Sequence, residues 1–166
     1  MIKNGIIGVL LISILVIFSF MYKDSRRSIL GKFPVEILPG ENASGDPPLF
    51  LFFFFSRHHC PVCLEAIGIL NQLPPQFVVT GIVPVGELEN EADFRKATGA
   101  MFNLKHFKES YRRFTPHYAP AIFGVKANGD ILFVLPGVPG EKQYLYDFLV
   151  SFYSKSMELL IPDHES

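Results

Sequence analysis

Leu49-Phe50-Leu51-Phe52-Phe53-Phe54-Phe55-Ser56-Arg57-His58-His59-Cys60-Pro61-Val62-Cys63 runs from seven consecutive apolar residues into the only two cysteines of the chain. An apolar run of that length, with no polar alternation, reads as a central strand buried on both faces. Pro61 suits the first turn of a helix, where its missing N–H leaves no bond unmade. A buried strand that delivers a Cys-x-x-Cys to a helix start is the arrangement thiol–disulfide chemistry needs. The free N–H groups and positive dipole end of that helix favour a thiolate at Cys60. Cys60 is therefore read as the nucleophile. Two intervening residues let Cys63 reach back within one turn and displace whatever Cys60 has bound, which makes Cys63 the resolving thiol.

Outward from this stretch the chain alternates. A short strand is expected over Phe33 to Leu38. The turn-rich Pro39-Gly40-Glu41-Asn42-Ala43-Ser44-Gly45-Asp46-Pro47-Pro48 follows and is read as loop, its Asn42-Ala43-Ser44 sequon included. Downstream of the motif a helix is expected from Pro61 to about Leu73, ended by Pro74-Pro75. The β-branched run Phe77 to Val85 gives the next strand, and Glu89 to Phe102 a charged helix, which completes a βαβ unit. Pro120 to Val125 and Ile131 to Leu135 flank Asn128-Gly129-Asp130, a strong hairpin signal. An amphipathic helix from Glu141 to about Ser154 closes the domain. The long stretch between Cys63 and Pro120 calls for an added element near Asn103 to Tyr118.

At 166 residues the chain has room for one domain and an appendage, and 49% hydrophobic residues with 17 Phe exceeds what a lone soluble domain requires. The excess lies at the start. No charged residue occurs from Asn4 to Tyr22, and this stretch is long and apolar enough to cross a bilayer as one helix. Phe20-Met21-Tyr22-Lys23 is too bulky for a signal-peptidase site, so an uncleaved signal anchor is expected rather than a cleaved leader. Residues 1–27 are read as anchor and tether and 28–166 as the folded domain. Lys23, Arg26 and Arg27 after the segment argue for a cytoplasmic domain by the positive-inside rule. Dithiol chemistry argues for the extracytoplasmic side, where disulfides persist, and that is the reading adopted: a single-pass protein of the cell membrane with its domain on the periplasmic side. A net charge of −1 gives no sign of nucleic-acid binding.

The order strand, Cys-x-x-Cys at a helix start, strand, helix, strand opening at a proline, hairpin strand and helix resembles the thioredoxin fold: an α/β domain with a mixed central sheet flanked by helices. The resemblance covers most of Phe33 to Tyr153. The chain looks most like membrane-anchored thioredoxin-like proteins of bacterial envelopes, and Phe54-x-Ser56-x-x-x-Cys60-Pro61-Val62-Cys63 is similar to the corresponding stretch of methylamine-utilisation accessory proteins. It implies a thiol–disulfide oxidoreductase that needs no cofactor and meets protein thiol or disulfide substrates and a redox partner. It also implies a cis-proline against the two cysteines, matched by Pro120, with Ala119 before it presenting backbone to the substrate. The chain departs from the pattern in having His59 where an aromatic residue is usual, no tryptophan, and no acidic residue on the strand before the motif. Glu65 is a candidate substitute for that acid, though a first-turn glutamate is more simply a solvated charge.

Competing readings are weaker. A protonated His59 would lower the Cys60 pKa. Cys60 and Cys63 with His58, His59 or His117 would instead make a copper site resembling the copper chaperones built on this fold, although those carry three residues between their cysteines; no metal site is assigned. A closed zinc site lacks a second cysteine pair. Peroxidase chemistry wants Thr or Ser three positions before the reactive cysteine, where Arg57 stands. Pro61-Val62 leaves reductase, oxidase and isomerase all open, because the potential depends on how strongly the Cys60 thiolate is stabilised.

Overall fold

The computed structural model describes residues 31–34, 47–57, 61–114, 120–138 and 142–160. The chain divides into two compact units, Met1–Gly31 and Lys32–Ser166, and every element below belongs to the second. The apolar stretch at residues 4–22 lies outside the described residues. Among the described residues no helix is long and apolar enough to cross a membrane.

Strand β1 (Leu49–Phe54) is buried at all six positions, as seven apolar residues in a row require. Helix α1 (Pro61–Leu70) follows, then β2 (Phe77–Val83), α2 (Glu91–Thr98), β3 (Asn103–His106), a 3-10 turn (Glu109–Phe114), β4 (Ala121–Val125), β5 (Ile131–Pro136) and α3 (Lys142–Leu160). The five strands form one mixed sheet in the order β3-β2-β1-β4-β5. β1 is parallel to β2 and antiparallel to β4, with Phe54 opposite Ile82 on one side and Ala121 on the other. The two parallel steps, β1 to β2 and β2 to β3, run the same way along the sheet. Right-handed crossovers then put α1 and α2 on one face, and Phe94 of α2 does share a core with Ala66 and Ile67 of α1.

Successive side chains of β1 point to opposite faces. Leu49, Leu51 and Phe53, with Phe55 just beyond, join the core beneath α1, α2 and α3, where Leu145, Leu149 and Tyr153 also pack. Phe50, Phe52 and Phe54 join a second core with Phe33, Tyr111 and Phe123. Among the described residues no α-helix contributes to that second core. Phe33 covers it instead, stacked on Phe52 at 4.2 Å and on Tyr111 at 5.5 Å between ring centroids.

Where element ends differ from the sequence expectation, local chemistry explains the shift. α1 stops at Leu70 and tightens into i→i+3 turns, with Gln72 N–H on the Ile69 carbonyl at 3.0 Å, before Pro74. β2 ends at Val83 because Pro84 has no N–H to give the ladder. α2 starts only after Asn90, whose side chain accepts from Asp93 N–H at 3.2 Å, and closes at Gly99. Arg95 turns back to donate to the carbonyls of Ala100 and Phe102 at 2.8 and 2.9 Å, which keeps residues past Gly99 out of the helix. α3 runs to Leu160, beyond the expected end near Ser154. The element anticipated at Asn103 to Tyr118 is the edge strand β3 and the 3-10 turn, with residues 115–119 outside the described part. Of the strand expected over Phe33 to Leu38, the described part is the Lys32–Asp130 bridge and Phe33 N–H on the Gly129 carbonyl at 2.8 Å.

The hairpin forms where Asn128-Gly129-Asp130 marked it. Asp130 N–H is held by Asn128 Oδ1 at 3.0 Å and Gly129 N–H by the Lys126 carbonyl at 2.9 Å. Gly124 of β4 faces Phe133 of β5 so closely that a Cβ there would overlap the Phe133 ring. At Gly81 of β2 a Cβ would lie 2.8 Å from both Leu104 and Phe55. Both glycines are there for close approach of rings to the sheet.

Candidate active site

The carboxyl ends of β1 and β2 and the start of β4 meet at one end of the sheet, as the pairings of Phe54 with Ile82 and Ala121 dictate. From β1 the chain steps to β2 and β3 on one side, then returns to pair β4 on the other. The carboxyl end of β1 is thus the point where strand order reverses, the usual place for a site in an open sheet. The motif leaves β1 at that point.

Cys63 sits in the first turn of α1, 1% exposed, within the same core as Phe55, Ala66 and Ile67. It is disulfide-bonded. The sequence contains one other cysteine, Cys60, which with His58 and His59 lies outside the described residues. Beside the buried sulfur the helix start is open: Pro61, Val62 and Leu64 are exposed, and Val85 on the turn after β2 is 77% exposed. Glu65 is exposed on α1.

Pro120 is buried directly before β4, and its carbonyl accepts from Gly137 N–H at 2.7 Å. Because Ala121 pairs with Phe54, Pro120 stands at the same sheet end as Ser56 and the start of α1. Ala119 and His117 lie outside the described residues. Among the described residues no three of His, Cys, Asp and Glu gather where a metal ion could sit.

One residue of this region had no place in the sequence reading. Glu87, on the turn after β2, accepts from Ser56 Oγ at 2.6 Å through one carboxylate oxygen and from Arg57 N–H at 2.9 Å through the other. It joins the motif loop across 30 and 31 positions of chain. The signal that could have found it is the parallel pairing of β1 with β2, which brings the polar residues just past the two strand ends together.

The sequence matches no protein-family model and no curated protein. Solved structures do match. StoA from Bacillus subtilis superposes with a TM-score of 0.50 at 17% identity, over 74% of this chain and 98% of its own. A secreted Mycobacterium tuberculosis disulfide oxidoreductase homologous to Escherichia coli DsbE gives 0.51 at 16%, over 64% and 83%. A Chlorobium tepidum protein named provisionally for the thiol:disulfide interchange protein DsbE gives 0.52 at 17%, over 63% and 79%. The fold is thioredoxin-like. In this thioredoxin-like domain the sheet carries Cys63 and Pro120 to one end, and the edge beyond β2 is supplied by β3, which the sequence reading had not resolved.

Proposed function

We propose that this protein is a membrane-anchored thiol–disulfide oxidoreductase, with Cys60 as nucleophile and Cys63 as resolving thiol. The observation that carries the reading is the disulfide at Cys63, buried in the first turn of a helix that begins at the carboxyl end of the central strand. The described neighbours on the thioredoxin-like fold bear names of the same chemistry, which supports it at the level of fold.

In the reducing direction the Cys60 thiolate attacks one sulfur of a substrate disulfide, forms a mixed disulfide and releases one substrate thiolate. The Cys63 thiolate then attacks the Cys60 sulfur and expels the second. Two electrons pass to the substrate, and the enzyme is left with a Cys60–Cys63 disulfide; the oxidising direction is the reverse. Exposure falls from Pro61 and Val62 to Cys63, so an incoming protein meets the helix start before it meets the buried sulfur. Pro120, with Ala119 before it, borders the same end and is the backbone edge we assign to substrate. His59, one residue before the nucleophile, is assigned to lowering its pKa when protonated. The apolar stretch at residues 4–22 would tether the domain to the cell membrane on the extracytoplasmic side, where substrate disulfides persist.

Covalent trapping tests the order of the two sulfurs. Cys63→Ser removes the intramolecular escape, so mixed disulfides with partner proteins should accumulate, whereas Cys60→Ser should trap almost none. Equal trapping by both variants would overturn the assignment. Reporter fusions after Ser166 test sidedness: an alkaline-phosphatase fusion that stays inactive while a cytoplasmic reporter is active would put the domain in the cytoplasm.

A further inference from the structure

We propose that Glu87 is a positioning residue for the dithiol: by holding Ser56 and Arg57 it stabilises the disulfide at Cys63. The proposal rests on the oxidoreductase reading above. Its basis is a clamp across two loops. Phe55 N–H reaches the Ile82 carbonyl at 3.2 Å, so β1 and β2 leave the sheet side by side. The chain after β2 turns at once, with Glu87 N–H on the Pro84 carbonyl at 3.2 Å, and this aims the Glu87 side chain back at the other strand's exit. Both carboxylate oxygens are used, Oε1 by Ser56 Oγ and Oε2 by Arg57 N–H. Hydrogen bonds to a charged acceptor are the stronger kind, and two from consecutive residues fix a direction as well as a position.

The motif loop is therefore held at both ends. Upstream, Ser56 and Arg57 are fixed by Glu87. Downstream, Cys63, Ala66 and Ile67 are locked in the helical core. Closing a disulfide between the loop and α1 costs chain entropy, and the cost is smaller when the ends are already in place. Reduction to the dithiol removes that covalent closure. Loss of Glu87 should then move the couple toward the dithiol and make the protein more oxidising.

The test is the equilibrium of the full chain with glutathione, measured for wild type, Glu87→Ala, Glu87→Gln and Ser56→Ala, with urea unfolding of the oxidised and reduced forms of each. Glu87→Ala should shift the equilibrium constant about tenfold toward the dithiol, which is about 30 mV for a two-electron couple. Glu87→Gln keeps an acceptor for Ser56 but loses the charge and turns an amide toward Arg57 N–H, so its shift should be intermediate. Ser56→Ala removes the Oγ bond to Glu87 and leaves the Arg57 N–H bond in place, so it should give the smallest shift. The oxidised form of each variant should lose more stability than the reduced form.

An equal loss from both forms with an unmoved potential would make Glu87 a structural tie and overturn the proposal. Ser56→Ala and Glu87→Gln decide the matter if Glu87→Ala does not fold, since an unchanged potential in both is equally fatal to it. A wild-type protein with no reversible dithiol couple would instead remove the oxidoreductase reading, and the proposal with it.

Discussion

On one face of the sheet Leu49, Leu51, Phe53 and Phe55 lie beneath three helices, whereas on the other Phe50, Phe52 and Phe54 lie with Phe33, which precedes β1 in the chain, and with Tyr111 of the 3-10 turn. The contrast separates two tasks. Cys63 belongs to the helical face, where long elements packed against one another hold a side chain in place. The aromatic face, among the described residues, is closed by rings instead of an α-helix, with Phe33 N–H on the Gly129 carbonyl and Lys32 bridged to Asp130. Its burial is as complete as that of the helical core, at 2% exposure for Phe33 and for Tyr111. Among the described residues, similar burial is thus reached by packed helices on one face and by aromatic rings on the other.

Truncating one ring on each face should expose that difference. Phe53→Ala leaves a cavity under fixed helices, and the loss should be about 3–5 kcal/mol in urea unfolding. Phe33→Ala removes a ring of the same size from a core of other rings, Tyr111, Phe114 and Phe123, that can close over the gap, so the loss should be about 2 kcal/mol. The same Phe33 variant should leave the glutathione equilibrium of the dithiol unmoved. Equal losses would mean that the aromatic face is as rigid as the helical one, and a shifted equilibrium would join it to the site.

This asymmetry also marks how far the sequence could be read. β1, α1, the hairpin and α3 were legible because each carries a long apolar pattern or a specific turn: seven apolar residues before the motif, Asn128-Gly129-Asp130 between two apolar runs, and Leu145, Leu149 and Tyr153 at helical spacing. β3 was not. In Asn103-Leu104-Lys105-His106 a single residue, Leu104, is buried, and four residues are too few for an alternation to show. The place of Phe33 in the second core was hidden for another reason, since its partners Tyr111 and Phe123 lie far along the chain and no local pattern points to them. At the site, Cys63 and Pro120 could be placed from local pattern, one from the motif and one from the strand it opens. Glu87 could not, because a carboxylate on a turn is ordinarily solvated and only the parallel register of β1 and β2 brings it to Ser56 and Arg57.

A smaller effect on the helical face should follow from the cap of α2. Asn90 accepts from Asp93 N–H and donates to the Asp93 carboxylate at 2.6 Å, and Phe94 of the same helix is fully buried against Phe55. Asn90→Ala should lower stability by about 1 kcal/mol, while Asn90→Gly should lower it by only a few tenths. That pairing of results would show that the cap, rather than side-chain packing at this exposed position, holds the helix start. Equal losses from the two variants would argue the reverse.

The smallest effect belongs to the aromatic face. The 3-10 turn carries an ion pair, Arg112 Nη1 to Glu109 Oε1 at 3.0 Å, with both side chains 78% exposed. Water screens such a pair, and two long side chains lose freedom to form it, so the net gain is about 0.5 kcal/mol or less. Tyr111 between them is 2% exposed and meets Phe33, Phe54 and Phe107, with its own N–H on the Lys108 carbonyl at 2.9 Å. If ring burial holds this turn against the sheet, Arg112→Ala should unfold in urea within about 0.5 kcal/mol of wild type, at low and at high salt alike. A loss above about 1 kcal/mol that disappears in high salt would mean that surface charge, and not the aromatic plug, keeps this face of the sheet covered.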